Sequence, residues 1–250
     1  MSRLSGRTGT IDSPCGEPSD ACPPAILPVP AQAQPGEEGP IGKWLVAGLV
    51  LLLGALALAV VAAGPGIVPG DIAIARVVQR PGSATIDDIA GIISLIGADY
   101  PSTVVLAVAG IGLLTLLGRR DLALFLGIAA ALRAIGPVLK VLIGSPRPSV
   151  EAVVIVAQAD GLGFPSGHAM GAALFYGAIA IIAPQVVANR LVVRGIQVVA
   201  IAMMALIALS RVRLGVHWPS DVAGGLLFGL GAVCVLQAAL LAWRQAQIRR

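Results

Sequence analysis

The stretch WLVAGLVLLLGALALAVVAAGPGIVPG, Trp44–Gly70, carries no Asp, Glu, Lys or Arg over 27 positions. The hydrocarbon core of a bilayer is roughly 30 Å thick, and a helix rising about 1.5 Å per residue crosses it in about 20 apolar residues. The stretch is long enough, and it predicts a spanning helix near Lys43–Ala63. A strand of a membrane barrel would alternate in polarity; this run does not. In lipid the backbone must satisfy its own hydrogen bonds, which leaves the helix.

The same pattern repeats outward from this point. Tyr100–Gly118, Gly161–Asn189, Gly195–Ser210 and Val222–Trp243 are free of Asp, Glu, Lys and Arg, and Leu122–Ile143 is broken only by Arg133 and Lys140. The whole chain is 57% hydrophobic and 12% charged, where a soluble domain carries roughly 25% charged residues. We therefore expect an all-α integral membrane protein of six spans, near 43–63, 101–118, 121–143, 167–184, 192–210 and 220–243, in one domain covering 41–250. Ile86–Ala98 is too short to cross and is expected to lie in the outer interface. The net charge of +4 comes from too few charges to suggest a nucleic-acid partner. Cys15, Cys22 and Cys234 form neither a disulfide framework nor a metal-ligand spacing.

Residues 1–40 differ in kind. DSPCGEPSDACPPAILPVPAQAQPGEEGP is rich in Pro, Gly and acidic residues and is expected to be a disordered cytoplasmic tail. No apolar segment follows Met1–Arg7, so it is not read as a signal peptide. Orientation follows from loop Lys and Arg. With the N-terminus inside, ten basic residues fall inside (Arg3, Arg7, Lys43, Arg119, Arg120, Arg190, Arg194, Arg244, Arg249 and Arg250). Six fall outside: Arg76, Arg80, Lys140, Arg147, Arg211 and Arg213. Both termini are then cytoplasmic, in the cell (inner) membrane, and Trp44 and Trp243 sit at the inner boundary.

This orientation gathers three polar clusters on the outer face: KVLIGSPRP (Lys140–Pro148), PSGH (Pro165–His168) and SRVRLGVHWPSD (Ser210–Asp221). Lys140, Arg147 and Arg211 are costly at a membrane boundary unless an anion lies between them. Arg offers a planar fork of donors suited to phosphate, and Lys a point charge. Ser166 can cap the helix that opens after Pro165, Gly167 lets a ligand approach the backbone, and the free N–H groups there form an anion site. The chain has two histidines, and both lie in these clusters. His217 and Asp221 are four residues apart, so the carboxylate can hold one ring nitrogen as N–H and leave the other free to attack. His168 is placed to act as general acid for the leaving oxygen. A nucleophilic imidazole, a proton donor and a cationic cradle describe phosphoryl transfer through a phosphohistidine intermediate. No carboxylate cluster remains to hold a metal, so neither metal nor cofactor is expected.

Lys140-x6-Arg147-Pro148, Pro165-Ser166-Gly167-His168 and Ser210-Arg211-x5-His217-x3-Asp221, separated by 16 and 41 residues, resemble the three-part signature of the type 2 phosphatidic acid phosphatase (lipid phosphate phosphatase) superfamily. The resemblance covers roughly residues 41–245. It implies that His217 is the nucleophile and His168 the acid. It also implies that Lys140, Arg147, Arg211, Ser166 and Gly167 hold the phosphate. Ser145 stands where many members carry a further Arg. The substrates so implied are undecaprenyl diphosphate, phosphatidylglycerophosphate or phosphatidic acid, reached laterally from the bilayer, and composition inclines us to the first. Two other readings compete. A vanadate-dependent haloperoxidase has a similar site but is typically soluble. A non-catalytic phosphate-lipid binder or transporter needs the cations but no oriented imidazole. Taken singly, each residue has a plainer role. A lone membrane histidine is more often a packing or helix-bonding group, and Arg147 or Arg211 alone an interfacial snorkeler. Arg133 shares the Lys140 helix face, and Arg213 and Ser210 are assigned no function. Gly110, Gly112, Gly224, Gly225 and Gly229 are read as close helix packing.

Overall fold

The computed structural model describes residues 40–250 apart from positions 81 and 99 and the side chains of 96–100. The expected tail, but for Pro40, lies outside the described residues, as do Cys15, Cys22, Asp99 and the side chain of Tyr100. The described residues form α-helices and no strand. In chain order these are α1 (Pro40–Ala62), α2 (Asp71–Gln79), α3 (Ala84–Ala98), α4 (Tyr100–Leu116), α5 (Arg120–Leu132), α6 (Gly136–Ile143), α7 (Gly167–Val186), α8 (Arg190–Arg213) and α9 (Pro219–Ile248).

Five helical stretches among the described residues are long and apolar enough to cross a membrane: α1, Arg120–Ile143 (α5 and α6 together), α7, α8 and α9. The span expected near 101–118 is α4, which has 17 residues and rises only about 25 Å. The span expected at 121–143 is not one regular helix. A 3-10 turn, Arg133–Ile135, separates α5 from α6. Pro137 explains it, because proline has no N–H to give the carbonyl of Arg133 four residues back. The helix α2 was not expected at all. Its sequence, DIAIARVVQ, is amphipathic and too short to cross.

Helix α7 is the centre of the bundle. Its Met170, Leu174, Phe175, Ala178 and Ile182 share one apolar core with Leu122, Phe125, Leu126 and Ala129 of α5 and Val233 and Leu240 of α9. The outward surfaces are apolar too. Leu116 is 87% exposed, and Leu191, Val141 and Leu142 are each at least 75% exposed. In water such a contiguous belt would drive association; against lipid it is the expected surface.

Small residues let the helices close. A Cβ on Gly225 would stand 2.6 Å from the Ser166 carbonyl oxygen and 3.0 Å from Met170 N, and one on Gly229 would stand 2.5 Å from Ala173 Cβ. Gly224 meets the Phe164 ring and Gly110 the Leu126 side chain, as the packing reading expects, but Gly112 faces open space.

Two ends of the bundle are distinguishable. At one, Arg119 donates to the Gln185 carbonyl, and Arg244 bridges the Gln185 side-chain oxygen and the Asp121 carboxylate. The other end gathers the three polar clusters.

Candidate active site

The cluster after α6 reaches the segment before α7 through backbone and side chain together. Lys140 Nζ donates to the carbonyls of Leu162 (2.6 Å) and Gly163 (2.8 Å). The Ser145 carbonyl accepts from Gly163 N at 2.7 Å. Ser145 itself is buried. Arg147 Nε donates to the carbonyls of Asp160 and Gly161, each at 3.1 Å. One Arg147 terminal nitrogen donates to the Val216 carbonyl at 2.6 Å and lies 3.4 Å from His217 Nε2. Arg147 is therefore the group that spans from the first cluster to the third.

The second and third clusters meet directly. Ser166 N donates to the Asp221 carbonyl at 2.9 Å. A Cβ on Gly163 would stand 2.8 Å from Asp221 Oδ2 and 3.0 Å from the Pro146 carbonyl, so only glycine lets the three segments approach this closely. Ser166 occupies the N-cap of α7, but its hydroxyl makes no capping bond. This differs from expectation: Ser166 Oγ is fully buried with no hydrogen-bond partner, and the first N–H groups of α7 are left for another acceptor. The space in front of Gly167 is open.

His217 is buried and held from both sides. Its Nδ1 lies 3.2 Å from Asp221 Oδ2, which also accepts from Trp218 N at 3.0 Å. A guanidinium can only donate, so Nε2, facing Arg147, carries the lone pair and Nδ1 the proton. The carboxylate and the guanidinium assign the same tautomer. Burial, followed by the nearby charges of Arg147, Lys140, Arg211 and His168, holds the His217 imidazole well below its ordinary range. The ring is thus neutral at pH 7.

His168 lies in the first turn of α7, half-buried, where it senses the charges of Arg211, Arg133, Arg147 and Lys140. Arg211, in the last turn of α8, donates to the Ser94 hydroxyl of α3. All eight residues singled out from the sequence thus fall at one end of the bundle, in mutual contact or electrostatic reach.

Residues left unassigned also find places. Arg213 makes an ion pair with Asp87 at 2.7 Å and donates to the carbonyls of Val78 and Gln79, so it joins α8 to α2 and α3. Ser210 Oγ bonds back to the Ile207 carbonyl of its own helix. Arg133 is buried, donates to Thr103 Oγ1 at 2.8 Å, and packs its guanidinium against Gly171, one turn below His168. Sequence reasoning missed Asp71, which accepts from Ser220 N (2.9 Å) and Ser220 Oγ (2.6 Å). The signal for it was Gly70-Asp71 followed by apolar residues at helical spacing, Ile72, Ala75 and Val78.

Among the described residues no three His, Cys, Asp or Glu side chains are grouped so as to hold a metal ion. An open cleft of about 460 Å³ lies between α2 and the connection after α6, lined by Arg76, Gln79, Arg80 and Val150–Ile155 and by none of the eight site residues.

No curated protein matches the chain. Two solved structures do. The Bacillus subtilis protein described as the first transmembrane PAP2 type phosphatidylglycerolphosphate phosphatase aligns with a TM-score of 0.64 and 25% identity, over 79% of this chain and 96% of its own. Aquifex aeolicus LpxE aligns with a TM-score of 0.52 and 22% identity, over 68% of this chain and 94% of its own, a likeness of fold. The sequence model of the PAP2 superfamily matches residues 121–246, half of the chain, including every cluster described above. This multi-pass membrane protein belongs to the PAP2 superfamily.

Proposed function

We propose that the protein is a lipid phosphatase that hydrolyses a phosphate monoester or diphosphate on a membrane lipid through a phosphohistidine at His217. The observation that carries this reading is the His217 geometry. Nδ1 is held by Asp221 at 3.2 Å, and Nε2 is left as a lone pair beside the Arg147 guanidinium at 3.4 Å. A site that only binds phosphate has no need of an imidazole aimed in this way.

The steps balance with water as the only co-reactant. His217 Nε2 attacks phosphorus, the bond to the lipid oxygen breaks, and His168 gives its proton to that leaving oxygen. His168 then takes a proton from water as the water oxygen attacks the phosphohistidine, releasing phosphate. Lys140, Arg147 and Arg211 hold the phosphate oxygens, and their charge is strongest against the charge that develops in the transition state. The open first turn of α7 and the partnerless Ser166 hydroxyl supply further donors. The cycle uses no metal ion.

In this reading both termini are cytoplasmic, the protein lies in the cell (inner) membrane, α4 is the sixth span and the site faces the outer side. The lipid enters sideways with its tail in the bilayer. Phosphatidylglycerophosphate gains support from the Bacillus subtilis likeness, and undecaprenyl diphosphate and phosphatidic acid are the other substrates of this class.

The test is phosphate release from a panel of these three lipids by detergent-solubilised protein, with excess chelator present and His217→Ala alongside. Release that survives chelator and vanishes in the variant supports the reading. Release equal in both proteins, or none from any lipid, overturns it in favour of a binder or transporter.

A further inference from the structure

The turn that carries His217 leaves α8 at Arg213 and enters α9 at Pro219. An imidazole on a turn is placed only as well as the two ends of that turn are held. Both ends are held by α2.

At the start of α2, Asp71 is buried and takes two hydrogen bonds from Ser220, from the backbone N at 2.9 Å and from the hydroxyl at 2.6 Å. Ser220 is the second residue of α9 and the neighbour of Asp221. The N–H groups of a first helical turn have no partner within their helix, and negative charge is favoured there. Asp71 satisfies that condition twice, at the start of its own helix and at the start of α9.

At the end of α2, Arg213 donates to the carbonyls of Val78 (3.3 Å) and Gln79 (3.0 Å). A cation at a helix C-terminus is the favourable complement. Gln79 Nε2 returns a bond to the Arg213 carbonyl at 3.2 Å and donates to the Val154 carbonyl at 2.7 Å, while Gln79 Oε1 accepts from Val154 N at 3.1 Å. Between these ends Ala75, Ile72 and Val78 pack into the same apolar cluster as Val212, Trp218 and Val222, which flank the turn.

We propose that α2 is a splint across the His217 turn and that Asp71 is a positioning residue for the nucleophile, acting through Ser220. The bond pair to Ser220 fixes the first turn of α9. That turn sets where Asp221 stands, and Asp221 sets the direction of the His217 ring. Asp71 touches neither substrate nor His217, so its loss disturbs the reacting geometry while leaving the phosphate-holding cations in place. This inference rests on the reading of His217 as the nucleophile.

The experiment uses the full-length protein in detergent with phosphatidylglycerophosphate as substrate, and compares Asp71→Ala, Ser220→Ala, the double variant and Asp71→Asn. A displaced nucleophile costs about tenfold to a hundredfold in turnover, so Asp71→Ala should lower kcat by at least about tenfold with KM within about twofold. Asp71→Asn should recover most of the loss, because its amide oxygen can accept from Ser220 N and its amide nitrogen can donate to the hydroxyl. Adding Ser220→Ala to Asp71→Ala should cost nothing more, since the two share one interaction.

A folded Asp71→Ala protein with unchanged kcat overturns the proposal. So does a double variant whose losses multiply. Should Asp71→Ala not fold, Gln79→Ala at the other end of the splint carries the same expectation of lower kcat at constant KM. A second readout needs no turnover: in the His168→Asn background, whose single remaining histidine is His217, Asp71→Ala should shift or broaden the ring-nitrogen resonances. Wild-type protein inactive on every lipid refutes the phosphatase reading, and unchanged resonances then refute the splint independently.

Discussion

Asp221 Oδ2 takes two hydrogen bonds at once, from His217 Nδ1 at 3.2 Å and from Trp218 N at 3.0 Å. The second bond orients the carboxylate and the first orients the ring. Replacing Asp221 by Asn keeps the size but removes one acceptor. An amide oxygen at the Oδ2 position can serve both donors, but the negative charge that stabilises the ring as it turns cationic is gone, and the amide NH2 then stands at the buried Oδ1 position, which has no partner. Phosphate release by Asp221→Asn should fall by about two to four orders of magnitude. Its helix content by circular dichroism should stay that of the wild type. Activity within a few-fold of wild type would remove Asp221 from the mechanism.

The contact between these residues was legible from their spacing around Pro219, since a side chain just before a helix start lies within reach of one in its first turn. The three clusters, too, were legible, because motif residues and the alternation of spans bring Lys140, Ser166 and His217 to one end of the bundle. What could not be read was tertiary. Arg133 finds Thr103 and Gly171, and Asp71 finds Ser220 149 positions later. Nothing in local periodicity names such partners. The break at Arg133–Ile135 was in principle readable from Pro137, but an apolar run of spanning length hid it. Helix α2 was overlooked because the membrane pattern drew attention to long apolar runs, and α2 is short and amphipathic.

The burial of His217 sets the sign of a titration. Desolvation, then the charges of Arg147, Lys140, Arg211 and His168, press its imidazole well below the ordinary value of about 6.5. The folded protein therefore refuses a proton that the unfolded chain accepts. Stability from this group is fully present above about pH 6.5 and is lost as pH falls toward the folded value. In the His168→Asn background, ring-nitrogen NMR should show His217 neutral at about pH 6. Adding inorganic phosphate should raise its titration point, since a bound anion favours the cation. A ring that protonates near its ordinary value would mean that the site is far wetter than its burial implies.

Arg147 makes its contacts through a fork. Nε reaches the carbonyls of Asp160 and Gly161 while a terminal nitrogen reaches the Val216 carbonyl and faces His217. Lysine keeps the charge and loses the fork. Arg147→Lys should therefore raise KM for phosphatidylglycerophosphate by about tenfold and weaken inhibition by inorganic phosphate to a similar degree. Equal kinetics in Arg147→Lys and wild type would show that charge alone suffices.

Gly225 and Gly112 are both helical glycines, and they should respond oppositely to alanine. A Cβ at Gly225 meets backbone atoms, the Ser166 carbonyl at 2.6 Å and Met170 N at 3.0 Å, whereas a Cβ at Gly112 meets nothing within 4 Å. Backbone cannot swing aside as a side chain can, so Gly225→Ala forces α9 from α7 and costs about 1–3 kcal/mol. It should also lower activity, because the Ser166 N to Asp221 carbonyl bond crosses the same interface. Gly112→Ala should be neutral or stabilising by up to about 1 kcal/mol. Thermal unfolding in detergent, followed by helix signal, reads both.

The proposed orientation makes a prediction that does not depend on activity. Arg119, Asp121, Gln185 and Arg244 join the helix ends at one pole of the bundle, and the site occupies the other. In that proposal the ten basic residues of flanks and loops assigned to the inside, against six assigned outside, put the first pole in the cytoplasm. Glu151, exposed in the connection between α6 and α7, then faces outward, and Gln247, exposed near the end of α9, faces inward. With Cys15, Cys22 and Cys234 changed to Ser, a membrane-impermeant maleimide added to intact cells should label Glu151→Cys and spare Gln247→Cys until the membrane is opened. The reverse pattern would invert the protein and put the site in the cytoplasm. Labelling of both in intact cells would mean that the poles do not lie on opposite sides, against the three crossings by α7, α8 and α9 that separate the two positions. Because α7, α8 and α9 are the helices between the two labels, the pair reports the side of the site whether or not α4 crosses.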